Sequence, residues 1–275
     1  MSERRSAGTT RRVQEVRVES WTELHQCLYA ESWQESLGRF RSNFAFRGRS
    51  RASEGLQTTL QLLGGDPTAL EGPLLRSFRR YADRSDVPYD STWNWLALGK
   101  HHGLPTRMLD WTYSPYVALH FATTTLQSYD VDGVVWAIDY VRTHELLPRA
   151  LREVLEEEGA NVFTAEMLDR VAQSRDALDV LAEEDDFVLF LEPPSLDQRI
   201  VAQYALFSLM SSAEAALDRW IAEHETLVRR IVIPAELKWE VRDKLDQANV
   251  TERVLFPGLD GLSAWLRRYY LPRRP

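Results

Sequence analysis

Apolar residues along this 275-residue chain recur with two periods, one of two residues and one of three to four. The two-residue period marks strands and the longer one marks helices. "VQEVRVES" (13–20) alternates, and Ser20 with Glu23 gives a capping-box pattern into a helix over "WTELHQCLYA". "SNFAFRG" (42–48) is a second strand and "GGDP" (64–67) a turn. "TALEGPLLRSFRRYA" (68–82) predicts a helix interrupted at Gly72–Pro73. "STWNWLALGKHHG" (91–103) predicts one that ends on Gly103. "LPTRMLDWT" (104–112) reads as extended. Ser114 and Pro115 then stand as N-cap and first helical residue of a helix with Val117, Ala118, Phe121 and Ala122 on one face.

Further on, "DGVVWAIDY" (132–140), "FVLFLEPP" (187–194) and "LVRRIVIP" (227–234) are apolar enough for buried strands. "DQRIVAQYALFSLM" (197–210) carries another, which includes Gln203. Two charged helices are expected within 144–184. An amphipathic helix over 235–248 has Leu237, Val241, Leu245 and Ala248 on one face, and a turn with a short helix closes the chain at 255–269. Strands and helices mix without a βαβ rhythm, so the expected class is α+β in one domain over 13–270. The acidic helical insert at about 143–185 is the one candidate for a separable lobe. The basic ends, 1–12 and 271–275, are expected as tails, the first disordered.

Charge and cysteine content narrow the setting. The net charge is −8, which argues against broad coating of nucleic acid. Residues 151–192 hold thirteen acids against three arginines, which reads most simply as a solvated helical face. The basic tails are either solubilising ends or phosphate contacts. Cys27 is the single cysteine, so a reducing cytoplasm is expected. No apolar run approaches the roughly 20 residues that span a bilayer, and the start has no apolar h-region of a signal peptide.

Three stretches set polar groups among apolar neighbours: Arg47–Gly48, 101–112 and 198–207. Buried charges need partners, so the three are expected to meet, with Arg47 or Arg107 against Asp110. A structural ion-pair network would explain that much. A ligand site would explain more, because a guanidinium fork suits phosphate and a neighbouring glycine admits a ligand to the backbone. His101, His102 and His120 lack metal-ligand spacing, so no metal is expected. No G-x-S-x-G, G-x-G-x-x-G or G-x-x-x-x-G-K-[ST] occurs. Trp111, beside Asp110, could stack on a base or pack under its strand.

"FRG" (46–48), "HHGLPTRMLDWTYSPYVALHFAT" (101–123), "RIVAQYALF" (199–207) and "LFPGLDGL" (255–262) together resemble the FRG-domain family. That family resembles in turn the ADP-ribosyltransferase fold, a split β-sandwich that grips NAD in a cleft. The resemblance implies that Arg47 supports the phosphates and ribose of NAD, that the backbone following it holds the nicotinamide amide, and that Thr112 belongs to the second motif. Catalytic roles then fall to Arg47, Thr112, Asp110 and Gln203. NAD-binding roles fall to Arg47, Gly48, Thr106, Arg107, Trp111, Thr112 and Arg199. Gln203 stands where the superfamily carries a glutamate, and a neutral amide cannot stabilise a developing cation. Glu192 is the nearest substitute.

The expected function is NAD-dependent ADP-ribosyl transfer or NAD hydrolysis, with NAD as substrate and a bacterial toxin or anti-phage effector as the implied setting. The alternative is a catalytically silent module that senses a nucleotide or a partner. The acceptor, protein or nucleic acid, and the oligomeric state stay open.

Overall fold

A computed structural model describes residues 14–182, 185–195 and 197–272. Val13, the 1–12 tail and residues 273–275 lie outside it. The fold is α+β. Its strands are β1 (Gln14–Arg17), β2 (Trp33–Gln34), β3 (Arg39–Phe40), β4 (Phe44–Arg49), β5 (Met108–Thr112), β6 (Gly133–Asp139), β7 (Val188–Leu191), β8 (Ala205–Met210) and β9 (Val228–Ile233). β2 and β3 pair as a small separate hairpin. The other seven form one mixed sheet in the order β1-β9-β6-β4-β5-β8-β7, with β1 and β9 parallel.

The join in the middle of this sheet is weak. β4 and β6 share a six-residue register, whereas β4 and β5 are in register only at Phe46 and Thr112. Beyond that pair the strands separate. One face of the sheet is covered without a break: Ala45, Leu109, Trp111, Trp136, Phe190 and Leu206 pack into one cluster with Leu56, Leu217 and Trp220. The other face carries two clusters. Phe44, Phe46, Val135 and Ile231 pack with the helices Trp21–Tyr29, Pro115–Ala122 and Lys238–Gln247. Met108, Phe207 and Leu209 pack with Thr92–His101 and the acidic segment. Between those two clusters, over the opening from β4 to β5, lies a cleft.

Several expectations are corrected. Pro67–Tyr81 is a continuous helix, capped by the Asp66 side chain and passing straight through Gly72–Pro73. A mid-helix proline removes one backbone bond; here Leu75 and Glu71 are buried on the same helix and hold it in place. Residues 198–202 are helical, capped by Asp197, and the strand starts only at Ala205. The acidic segment forms three helices, Arg149–Glu158, Ala165–Val171 and Arg175–Val180. It is no lobe apart, because its Leu151, Phe163, Leu168 and Leu178 share one core with Trp93 and Leu189. Among the described residues no helix is long and apolar enough to cross a membrane.

Candidate functional site

Four local structures build the cleft. The first is the end of β4, where Phe46, Arg47, Gly48 and Arg49 face the opening. Arg47 stands opposite Trp136 in register, so it leaves β4 on the continuously covered face. From there its Nη1 reaches across the split to the Asp110 carbonyl at 2.5 Å and lies 3.7 Å from the Asp110 carboxylate. Its Nε is buried and makes no hydrogen bond among the described residues. Burial pulls the Arg47 pKa down, partly offset by Asp110 and reinforced by Arg49. An arginine stays charged under these conditions, so the cost is a cation with few partners.

Gly48 is there for a different reason from the one its neighbour suggested. A Cβ on Gly48 would sit 1.8 Å from the Ala118 carbonyl oxygen. The missing side chain lets the Pro115–Ala122 helix lie directly on β4. Gly48 lines the cleft through its backbone, but the bulk it omits is on the helix side.

The second structure is the end of the Thr92–His101 helix. Leu104 N–H donates to the Gly99 carbonyl, Gly103 N–H donates to Lys100, and Gly103 has φ +85°. This is a Schellman ending. It turns Lys100, His101 and His102 onto the cleft. Lys100 Nζ is 2.6 Å from Asp110 Oδ2.

β5 is the third. Asp110 and Thr112 point into the cleft. Burial at the cleft wall raises the Asp110 pKa, but Lys100 and Arg47 outweigh it and hold the carboxyl below its ordinary value. The Asp110 side chain is still 56% exposed, because the cleft is open above it. Thr112 is buried; its hydroxyl donates to the Gln203 carbonyl at 2.7 Å and accepts Ser114 N–H at 3.0 Å. It therefore ties β5 both to the next helix and to the fourth structure. Trp111 points the other way. Its Nε1 donates to Ser208 Oγ at 2.8 Å and its ring packs edge-on to Phe190 in the core, so it offers no stacking platform.

The fourth is the Gln198–Ala202 helix. Arg199 lies over the Phe256 ring, 5.1 Å from its centre, and borders the cleft. Gln203 also lines the cleft, but as the cap of this helix rather than on a strand, and its amide nitrogen donates to the Leu255 carbonyl at 3.0 Å. The expected strand position for Gln203 next to Arg47 is corrected accordingly; β5 lies between β4 and β8.

The cleft thus gathers Arg47, Gly48, Asp110, Thr112, Arg199 and Gln203, with the backbone of Trp111. It does not include Thr106 or Arg107. Thr106 is fully buried and its hydroxyl accepts Met108 N–H. Arg107 is buried in an ion pair with Glu71 at 2.7 Å and Asp179 at 2.6 Å, which fastens the acidic segment to the core. Glu192 is outside the cleft and accepts the Tyr113 hydroxyl at 2.8 Å. Sequence reasoning missed Arg49, Lys100, His101, His102 and Phe121 as lining residues. The signal for three of them was "GKHHG": a helix ending on glycine places its last polar residues over the strand that follows.

The volume is about 600 Å³, within the range of small-molecule sites. Its charge is lopsided. Among the described residues, Arg47, Arg49, Lys100 and Arg199 line it against a single carboxylate, Asp110. Among the described residues no three His, Cys, Asp or Glu come together to hold a metal.

Residues 42–130 match the family described as FRG domain. The match takes in β4, β5 and the Pro115–Ala122 helix, and leaves Arg199 and Gln203 outside. No curated protein matches the chain, and no solved structure does.

Proposed function

This chain carries an FRG domain at residues 42–130, and on that premise we propose that its cleft binds a phosphate-bearing nucleotide, with NAD as substrate for ADP-ribosyl transfer or hydrolysis. The observation that carries the reading is the cationic floor: Arg47, Lys100 and Arg199 converge where the sheet opens, and the half-buried Arg47 guanidinium keeps an Nε without a hydrogen-bond partner among the described residues. Such a floor suits a pyrophosphate, which accepts charge-assisted bonds from several cations at once. An ADP-ribosyltransferase-type split sandwich belongs to the same proposal. Its support is the single register pair between β4 and β5, which leaves the sheet open at the "FRG" strand.

In the reaction the bond from ribose C1′ to the nicotinamide nitrogen breaks, and its electron pair leaves with neutral nicotinamide. Water or an acceptor nucleophile bonds to C1′. Arg47, Lys100 and Arg199 hold the phosphates, and Thr112 fixes the wall that carries Gln203. Gln203 is the side chain placed to position ribose, without charge. The setting of a cytoplasmic toxin or anti-phage effector goes with this reading.

A specific observation favours a second reading, a nucleotide-binding module without turnover. Asp110 is the cleft carboxylate, and Lys100 neutralises it at 2.6 Å. The two readings part on one assay. Incubation of the full chain with NAD, followed by quantitation of nicotinamide, gives release on the enzymatic reading. Tight NAD binding with no release selects the silent module.

A further inference from the structure

His101 is the last residue of its helix, and its ring borders the cleft with the side chain only 8% exposed. Its Nε2 lies 2.7 Å from Asp197 Oδ2. Asp197 is itself held: its other oxygen caps the next helix by accepting Arg199 N–H. One carboxylate thus fixes a histidine ring with one oxygen and the Arg199 backbone with the other. A neutral imidazole held in this way donates through Nε2, and Nδ1 is left with an acceptor lone pair.

His144 shows what a purely structural histidine does in this protein. Its Nδ1 donates to the Asn161 carbonyl and its Nε2 accepts Phe190 N–H, both at 2.8 Å, so neither nitrogen is spare. His101 differs on both counts. Its Nδ1 has no hydrogen-bond partner among the described residues, and its ring lines the cationic cleft.

We propose that His101, oriented by Asp197, is the general base that deprotonates the nucleophile attacking the ribosyl carbon of NAD; this rests on the nucleotide reading above. The nucleophile is a water or an acceptor hydroxyl. As its oxygen bonds to C1′, the C1′–N bond breaks and the electron pair departs with nicotinamide. The proton passes to His101 Nδ1, and the Asp197 carboxylate stabilises the imidazolium until the proton returns to solvent. Adjacent residues of one helix end then divide the work: Lys100 faces phosphate and Asp110, and His101 faces the incoming nucleophile.

The test uses the full chain with three readouts: NAD titration calorimetry, nicotinamide release, and carbethoxylation of histidines mapped by mass spectrometry with and without saturating NAD. His101 is expected to be carbethoxylated in the parent and protected by NAD. His101→Gln should bind NAD within about threefold of the parent yet release nicotinamide about a hundredfold more slowly, and added imidazole should restore part of the rate of His101→Gly. If the parent binds no NAD, the nucleotide reading falls and this proposal with it. If NAD binds but the parent releases no nicotinamide, binding stands and His101 is no base. Unchanged turnover in His101→Gln, or carbethoxylation indifferent to bound NAD, removes the dyad and leaves the nucleotide reading intact.

Discussion

Replacing Gly48 with alanine separates two reasons for a glycine in the "FRG" strand. An added Cβ would lie 1.8 Å from the Ala118 carbonyl oxygen, 2.7 Å from Ala122 N and 2.8 Å from the Ala118 carbonyl carbon. An ordinary Cβ contact starts at 3.4 Å, so the worst of these falls short by about 1.6 Å. All three atoms are backbone, so no side-chain rotation relieves the clash. The Pro115–Ala122 helix has to lift from β4, which loosens Ala118 and Leu119 from Phe46 and Val135. Overpacking of this kind costs ~3 kcal/mol or more. At ~2–4 °C per kcal/mol for a domain of this size, Tm should fall by about 6–12 °C in scanning calorimetry. Gly133→Ala is the graded comparison. Its Cβ would meet the Ala122 oxygen at 2.9 Å and the flexible Lys238 Cε at 3.0 Å, so the fall should be smaller. A Gly48→Ala protein melting within about 2 °C of the parent would refute the packing argument and return Gly48 to a ligand role.

Three further outcomes are expected. Arg107→Met, which leaves Glu71 buried without its main partner, should destabilise by ~3–5 kcal/mol in urea unfolding while leaving NAD affinity unchanged; a loss of affinity in a fully folded variant would put Arg107 back in the site. Burial pushes the His144 imidazole down from 6.5 to about 4, so the unfolded chain binds the extra proton over that window. Stability from the neutral ring is complete above pH 6.5 and is lost toward pH 4, at ~1.4 kcal/mol per pH unit; the slope of Tm against pH should flatten in His144→Gln, and parallel slopes would contradict this. Burial raises the Glu252 carboxyl, but Arg268 overrides it and brings it down to about 2 from 4.5. Its contribution is therefore present above pH 4.5 and lost as pH falls through about 2, and Glu252→Gln should remove that acid limb of the melting curve.

Much of the fold was readable because strand and helix periods are strong here. Helix and strand did not compete over "GVVWAID", a short β-branched run that is buried at every position of β6. The Ser114–Pro115 start and the Gly103 ending were legible from capping chemistry alone, and both hold. Residues 198–204 were misread because Ile200, Val201 and Ala202 are apolar in either period. What decides them is Asp197, whose carboxylate caps a helix, and Tyr204, which takes φ +48° to turn the chain into β8. The site was half legible. Arg47 and Asp110 announced themselves as charges among apolar neighbours. Arg107 made the same announcement, but its partners Glu71 and Asp179 are distant in sequence, and composition cannot say which buried arginine faces an acid and which faces a cleft.

Titration calorimetry of NAD into the parent and into Arg47→Lys decides whether the cleft holds a phosphate-bearing nucleotide through Arg47. Arg47 occupies the split between β4 and β5, 12% exposed, with a buried Nε that makes no hydrogen bond among the described residues. A lysine keeps the charge and loses the planar fork that reaches the Asp110 carbonyl and, on the proposed reading, holds a phosphate as well. Saturable binding to the parent is expected, with about tenfold or greater weakening in Arg47→Lys and a melting temperature nearly unchanged. Superimposable titrations of the two proteins, or no NAD binding to the parent, would contradict this.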